Sequence, residues 1–544
     1  MMRPNDIFGI IAGEWVYLRQ ETDTPYLYMH AMGRWTMDAA EQARRVGERT
    51  CRRRTMGMAL WIVACALWLT ACKGASDAVE PPAPVPPVPT AEQVTWQQME
   101  TNAFIHFGLN TFNDREWGYG DSDPQTFLPT ELDCRQWVRT LRAAGMQGVI
   151  LTAKHHDGFC LWPYRGTDYQ VGASPYLGGQ GDVLGELAAA CREAGLRLGV
   201  YVSPWDRHHA EYGHEGYVRD YHAQLRDVLT GYGDVFEVWL DGANGGDGWY
   251  GGARETRTID RRTYYDFPRI YAMIDSLMPH AIVFGDGGPG CRWVGNERGE
   301  AGQTNWSLLR QGEVYPGYPH PEELATGHED GDAWVPAECD VSIRPGWFYH
   351  PEEDDQVKSP EELLDLYYRS VGRGGLLLLN LPVDRRGRIP EKDSTHVVRF
   401  RQLLDRELQT DLLAGLRAEV SNVRGRDYGP EALTDGRYDT YWATADGVTA
   451  AIATFTFDRP QTVDRLMLQE YIPLGQRVRA FAVDYLQGGT WHTVPTDEVT
   501  TTIGYKRLLR FPAVVADGLR IRILDARGPV CINCIGAFYS DQPG

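Results

Sequence analysis

The chain of 544 residues carries 74 Asp and Glu against 54 Lys and Arg, a formal net charge of −20 at pH 7. That balance excludes general binding to nucleic acid or to an anionic membrane surface, which relies on clustered Lys and Arg. With 43% hydrophobic residues the chain can bury more than one core, and its length implies two to four domains.

Residues 1–55 show no clear periodicity and read as a disordered extension, with the natural start expected near Met56. Arg52 to Arg54 precede an apolar run, Met56 to Leu69, of about 14 residues. That is short for a bilayer span but right for a signal-peptide core. The run, within a signal segment 56–72, ends Leu69-Thr70-Ala71-Cys72, which resembles a bacterial lipobox. The resemblance implies export to the periplasm or cell surface, with Cys72 lipidated and the lipid as the sole membrane contact. Residues 73–91 hold EPPAPVPPVPT and read as an extended, semi-rigid stalk that keeps the body off a surface. Three of the ten cysteines fall in the leader, leaving an odd seven without framework spacing. Cys531-x-x-Cys534 is a single pair, read as sheet packing or a local disulfide, since a zinc ribbon needs two.

From residue 92 strand-like runs alternate with helical segments: FIHFG from Phe104, VILTAKHH from Val149, LGVYVS from Leu198, VFEVWLD from Val235 and IVFG from Ile282. Their starts recur every 37 to 49 residues, long enough for a strand and a crossover helix. Asp133 and Asp182 are placed to cap helices that Gly145 and Gly195 close. Ser359-Pro360-Glu361-Glu362 is a capping-box start, leading to the buried strand LLLLN that ends at Asn380. No GxGxxG follows the first strand, so a (β/α)8-like barrel over 92–390 is favoured above a dinucleotide fold. Its site would lie at the strand C-termini. Polar and aromatic residues collect there: His106, His155, His156, Asp157, Tyr201, Trp205, Asp241, Asp286, Trp347 and Asn380.

Asp241 ends a buried strand, and alternation turns Trp239 to the same side. Two chemistries fit such a mouth. A metal-dependent hydrolase would use the histidines and Asp, although the chain carries neither the H-x-H of amidohydrolase barrels nor HExxH. A glycosidase needs two carboxylates, Asp241 and one from Asp286, Glu297 or Glu300.

FIHFGLNTF with EWG, AKHHDGF, GVYVSPW and VWLDG, in that order, resemble the α-L-fucosidases of glycoside hydrolase family 29 over roughly residues 92–390. The resemblance implies a retaining double displacement in a (β/α)8-like barrel with no catalytic cofactor. It implies Asp241 as nucleophile, with His106, His155 and His156 holding fucose hydroxyls. Glu116, Trp117, Tyr201 and Trp239 match further substrate-binding positions, and Trp347 in RPGWFYH a stacking one. CRWVGNERG resembles the subfamily acting on α-1,3/1,4-linked fucose, which implies Glu297 as acid/base, with Glu300 as runner-up. In a retaining enzyme the two carboxyl groups stand about 5–5.5 Å apart. A non-catalytic fucose-binding protein on the same barrel is the alternative from another class.

Residues 391–417 read as a helical connector, with a helix over about Thr395 to Leu413. From 418 to 544 short alternating runs (ATFTF, DRLMLQEYI, VRAFAVDYL, KRLLRF, LRIRIL) read as an antiparallel β-sandwich. LTDG with DTYW, Leu433 to Trp442, resembles the discoidin or coagulation-factor C-type fold of family 32 carbohydrate-binding modules. That resemblance implies a structural Ca2+ near Asp435 and Asp439. The expected partners are fucosylated oligosaccharides or glycoproteins; oligomeric state is not legible.

Overall fold

A computed structural model describes residues 7–11, 14–18, 79–242 and 245–541. In the N-terminal unit the strands Ile7–Ile11 and Glu14–Leu18 pair antiparallel. This departs from the disorder expected of residues 1–55. β-branched and aromatic residues lie on both sides of Ala12-Gly13, a hairpin pattern too short to show as a longer period. The signal run, Met56 to Leu69, and Cys72 lie outside the described residues. Among the described residues no helix is long and apolar enough to cross a membrane.

Eight parallel strands close into a barrel in strict chain order. They are β1 (Thr101–Ile105), β2 (Gly148–Lys154), β3 (Arg197–Val202), β4 (Val235–Trp239), β5 (Ile282–Gly285), β6 (Cys291–Trp293), β7 (Ala337–Ser342) and β8 (Leu376–Asn380). Every residue of β1, β2 and β8 is buried, as expected for strands packed on both faces. Helix α1 (Ala91–Met99), held by a Thr90–Gln93 capping box, drives Trp96 and Met99 into the barrel interior beside Phe104, Ile150 and Leu378. Around the outside run α2 (Cys134–Ala143), α3 (Val183–Ala194), α4 (Glu215–Gly231), α5 (Phe267–Leu277), α6 (Pro360–Arg369) and α7 (Glu391–Glu407). Asp133 and Asp182 accept from the Gln136 and Gly185 amides to cap α2 and α3. The Ser359–Glu362 capping box opens α6 as its sequence implies.

Two strands escape the sequence pattern. β6 has three residues and follows β5 without a helix, and β7, AECDVS, carries Glu338 and Asp340 where an apolar run would announce a strand. Helix α7 is no connector. It buries Val397, Phe400, Leu403 and Leu404 in the same core as the other barrel helices, so the barrel extends past residue 390.

The C-terminal body is one antiparallel sheet of β9 (Glu419–Val420), β10 (Trp442–Ala443), β11 (Ala451–Glu470), β12 (Val478–Gln487), β13 (Thr490–Thr493), β14 (Arg507–Ala526) and β15 (Cys531–Phe538). Four of the runs expected as separate strands fuse into two, β11 and β14, each 20 residues long. Register breaks between Thr456 and Gln461 let β11 bend, so the sheet wraps a core that includes Phe455, Leu466, Phe481 and Ile535. Cys531 and Cys534 lie on β15 as free thiols, which removes the disulfide reading.

The Asp435–Asp439 loop is closed by its own donors. Arg437 grips Asp439 through two nitrogens at 3.0 and 2.8 Å, while Asp435 accepts from the Arg437 amide and the Thr440 hydroxyl. The carbonyls of Arg437, Tyr438 and Thr440 all accept from Asn533 Nδ2. This arrangement does not fit the expected Ca2+, because the oxygens that would ligate it already meet donors.

The proline-rich segment is not a free stalk. Arg424, Arg477 and Arg527 donate to the carbonyls of Glu80, Ala83 and Pro86, and the Val85 amide bonds Leu474 O at 2.9 Å. Prolines strip this segment of amide donors but leave its carbonyls, which the three guanidinium groups satisfy.

Barrel and sheet are riveted by ion pairs. Arg373 from the barrel and Arg507 from the sheet share Glu498 at 2.7 and 2.9 Å, and Arg465 reaches Glu407 at 3.2 Å. Lys506 and the Tyr505 hydroxyl both meet Glu100.

Candidate active site

A cavity of about 250 Å³ opens at the C-terminal ends of the barrel strands. Asp241, one residue beyond Leu240 after β4, lies on its wall. The Tyr201 hydroxyl, from β3, donates to Asp241 Oδ2 at 2.8 Å, and His156 Nε2 stands 3.5 Å from the same oxygen. Gly242 follows because a Cβ there would come within 2.7 Å of the Asp286 carboxylate.

Three imidazoles face the cavity, all from the strand ends after β1 and β2. The Asn380 carbonyl oxygen accepts from His106 Nδ1 at 2.8 Å, so Nε2 of that ring carries the lone pair. The Ser203 hydroxyl donates to the Trp205 carbonyl and therefore accepts from His156 Nδ1, at 2.8 Å, again leaving Nε2 as acceptor. Burial pushes His106 down to about 3 and His156 to about 4, and lowers His155 further below the usual range. All three are neutral at pH 7, suited to hydroxyl groups rather than to an anion.

Glu297 enters from the loop after β6. The residue as a whole is exposed, yet its carboxyl end turns into the cavity, where Trp347 Nε1 donates to Oε2 at 3.3 Å. Burial of that end, helped by the charges of Asp241 and Glu116, raises its pKa despite the Trp347 bond. Glu300, the runner-up, points away and pairs with Arg369 at 2.8 Å.

Of the ten residues that the family resemblance implies for catalysis or substrate binding, nine line the cavity: His106, Trp117, His155, His156, Tyr201, Trp239, Asp241, Glu297 and Trp347, and Asp286 lines it as well. Glu116 does not. Its carboxylate sits behind the wall, accepting from the Trp347 and Phe348 amides and from His350 Nε2 at 3.1 Å. It thus shapes the loop that presents Trp347. The adjacent Gly118 is forced, since a Cβ would fall 2.2 Å from Asn110 Oδ1. Asp157, gathered with the pocket by sequence, is buried behind it, where burial and Asp206 push it to about 7.

Sequence reading missed Phe104, Phe284, Trp293 and Asp340 on the wall. Phe284 stacks on Trp239 at 3.8 Å, and Trp293 Nε1 donates to Asp340 Oδ1 at 3.0 Å. Both Trp293 and Asp340 lie on the two strands whose pattern was not visible. Asp286 is buried at about 6, raised by burial and by Asp241 although the Gly317 amide donates to it. Burial and Glu297 raise Asp340 well above the carboxylate range. Among the described residues lining the cavity none is Lys or Arg.

Among the described residues two sets bring metal-ligating atoms within 4.8 Å of one another: Glu237, Cys291 and Glu338 inside the barrel, and Asp114, His350 and Glu352. Neither includes Asp241 or Glu297. Both nitrogens of His350 already meet carboxylates, Asp114 and Glu116.

Comparison with known proteins agrees with the geometry. The α-L-fucosidase family profile matches residues 82–406, and the F5/8 type C domain profile matches residues 417–534. Alpha-L-fucosidase 1 of Arabidopsis thaliana is 40% identical over 486 residues, covering 88% of this chain and 93% of its own. A glycoside hydrolase 29 family member from an unknown rumen bacterium has a crystal structure with TM-score 0.76 and 44% identity, covering 86% of this chain and 79% of its own. A Ruminococcus gnavus GH29 fucosidase, solved in complex with fucose, gives TM-score 0.77 and 33% identity, covering 86% of this chain and 98% of its own.

Proposed function

The chain belongs to glycoside hydrolase family 29, the α-L-fucosidases, and on that premise we propose that it is a retaining exo-enzyme releasing terminal α-1,3/1,4-linked L-fucose. One observation carries the reading: Asp241 and Glu297 line the same small cavity, and the surroundings of Glu297 favour its protonated form. Asp241, oriented by Tyr201, attacks the anomeric carbon while Glu297 gives its proton to the departing glycosidic oxygen. A covalent fucosyl-Asp241 forms. Glu297, now ionised, takes a proton from water, which attacks the anomeric carbon and restores both carboxyl groups. The cavity, about 250 Å³ and walled by Trp239 and Trp347, is of a size for a sugar ring, which supports exo action. Neutral His106, His155 and His156 bind hydroxyls, and the indoles of Trp239 and Trp347 supply apolar wall.

The linkage rests on the resemblance of Cys291 to Gly299 to one subfamily. Export and lipidation at Cys72 rest on residues 51–72; membrane fractionation of wild type against C72A tests them. Function is tested by fucose release from an aryl α-L-fucoside and a Lewis-type trisaccharide, using wild type, D241A and E297A, with and without chelator. The reading expects activity that survives chelation, favours the trisaccharide, collapses in D241A on both substrates and collapses in E297A on the trisaccharide. Loss on chelation would favour a metal-dependent hydrolase. Fucose binding without release by wild type would favour a lectin-like role.

A further inference from the structure

Beneath the sugar cavity the barrel interior holds a pair of acids that the reaction does not use. Glu237 on β4 and Glu338 on β7 are both fully buried. Carboxylate oxygens from the two, with Cys291 Sγ on β6, gather within 4.8 Å of one another. Such a pair cannot stay doubly ionised in an apolar interior, because each charge lacks water and repels the other.

The donors around the pair decide where the proton sits. Glu237 Oε2 accepts from Trp96 Nε1 at 2.9 Å, and Oε1 faces the Cys291 thiol at 3.8 Å. Glu338 Oε2 accepts from Trp239 Nε1 at 2.9 Å, whereas Oε1 meets no N–H or O–H donor among the described residues. An ionised Glu338 would leave that oxygen bare and buried. A protonated one turns Oε1–H into a donor to Glu237, and every polar atom of the pair is then satisfied. Burial raises both groups; the charge of Glu237 raises Glu338 as well, whereas the hydrogen bond from Glu338 acts to lower Glu237.

We propose that Glu338 is a positioning residue: as the protonated member of a carboxyl pair with Glu237, it holds the indole of Trp239 in the plane that walls the cavity beside Asp241. Glu237 and Trp239 are two residues apart on β4 and so face the same side. Glu338 is bonded to the indole of one and lies against the carboxylate of the other, locking both from across the barrel. Trp239 transmits the constraint, stacked on Phe284 at 6° between planes and packed 5.5 Å from Tyr201, which itself bonds Asp241. The inference rests on the fucosidase reading of the cavity.

Glutamine at 338 reproduces a neutral acid: its carbonyl accepts from Trp239 and its amide donates to Glu237. Leucine keeps bulk and loses both bonds. With full-length protein and an aryl α-L-fucoside, E338Q is expected within about threefold of wild-type kcat/KM, and E338L down about tenfold to a hundredfold, mainly in kcat. In a W239F background E338L should cost little more, because the residue acts through the indole. One protonated-carboxyl C=O component should be lost from the infrared difference spectrum of E338Q against wild type, a readout independent of activity. Thermal unfolding of each variant confirms that folded protein is being compared. Impairment of E338Q equal to that of E338L, additive effects of E338L and W239F, or an unchanged C=O band would each overturn the proposal. If wild type releases no fucose the functional reading fails, while the infrared band still judges the protonation.

Discussion

The barrel mouth and the seam between barrel and sheet both bury acids, and they treat them in opposite ways. At the seam Glu100, Glu407 and Glu498 each meet a cation. Lys506 holds Glu100 and Arg465 holds Glu407 below the usual carboxylate range against their burial, and Arg373 and Arg507 clamp Glu498. At the mouth Asp286, Glu297 and Asp340 share one cavity with no Lys or Arg on its described wall, and all three are raised. Paired acids stay ionised and hold two bodies together, while acids pushed toward neutrality can carry protons. The same residue type thus serves adhesion or chemistry according to whether a guanidinium or ammonium group faces it.

The largest effect that sharpens this contrast is at Glu297. E297Q should lower kcat/KM for the trisaccharide by a factor on the order of 10² to 10⁴, with far less loss for an aryl fucoside whose leaving group needs no proton. Breaking the seam should act on stability alone. R373A/R507A leaves Glu498 without a cation and is expected to cost about 3 kcal/mol in chemical denaturation, with kcat per folded molecule unchanged. A parallel loss of kcat would show that the two regions are not separable.

Asp286 gives a smaller effect with a definite sign. Its folded value of about 6 lies above the ordinary value of 3.8, so the folded protein binds its proton more tightly. Stability from this group is full below the unfolded pKa and is lost as pH rises through about 6. D286N should therefore flatten the stability–pH curve between pH 4 and 6, by at most about 3 kcal/mol. The smallest effect concerns Trp347, whose indole favours the ionised form of Glu297. W347F should move the alkaline limb of kcat/KM to higher pH, since activity requires Glu297 protonated.

The sequence exposed the mouth better than the seam. Strands with apolar runs, such as Leu376 to Asn380, announce themselves, and the residues just beyond them fall at the cavity. Glu338 and Asp340 break the apolar pattern of β7, so that strand and its wall residues stay hidden. Glu116 was misplaced because adjacency to Trp117 in EWG says nothing of which side chain turns inward. Only the fold reveals that its carboxylate grips the backbone of residues 347–348. The seam is illegible for another reason: Arg373 and Glu498 are 125 residues apart, and no local pattern pairs them. The proline-rich segment misleads likewise, since composition reports stiffness but not the arginines that fasten it.

The most direct test of the two-carboxylate account is to trap the covalent intermediate with a fluorinated fucosyl donor and map the adduct by peptide mass spectrometry. One fucosyl group on the peptide containing Asp241, absent in D241N, is the predicted result. An adduct on Asp286 or Glu297, or first-formed product of inverted anomeric configuration, would contradict it.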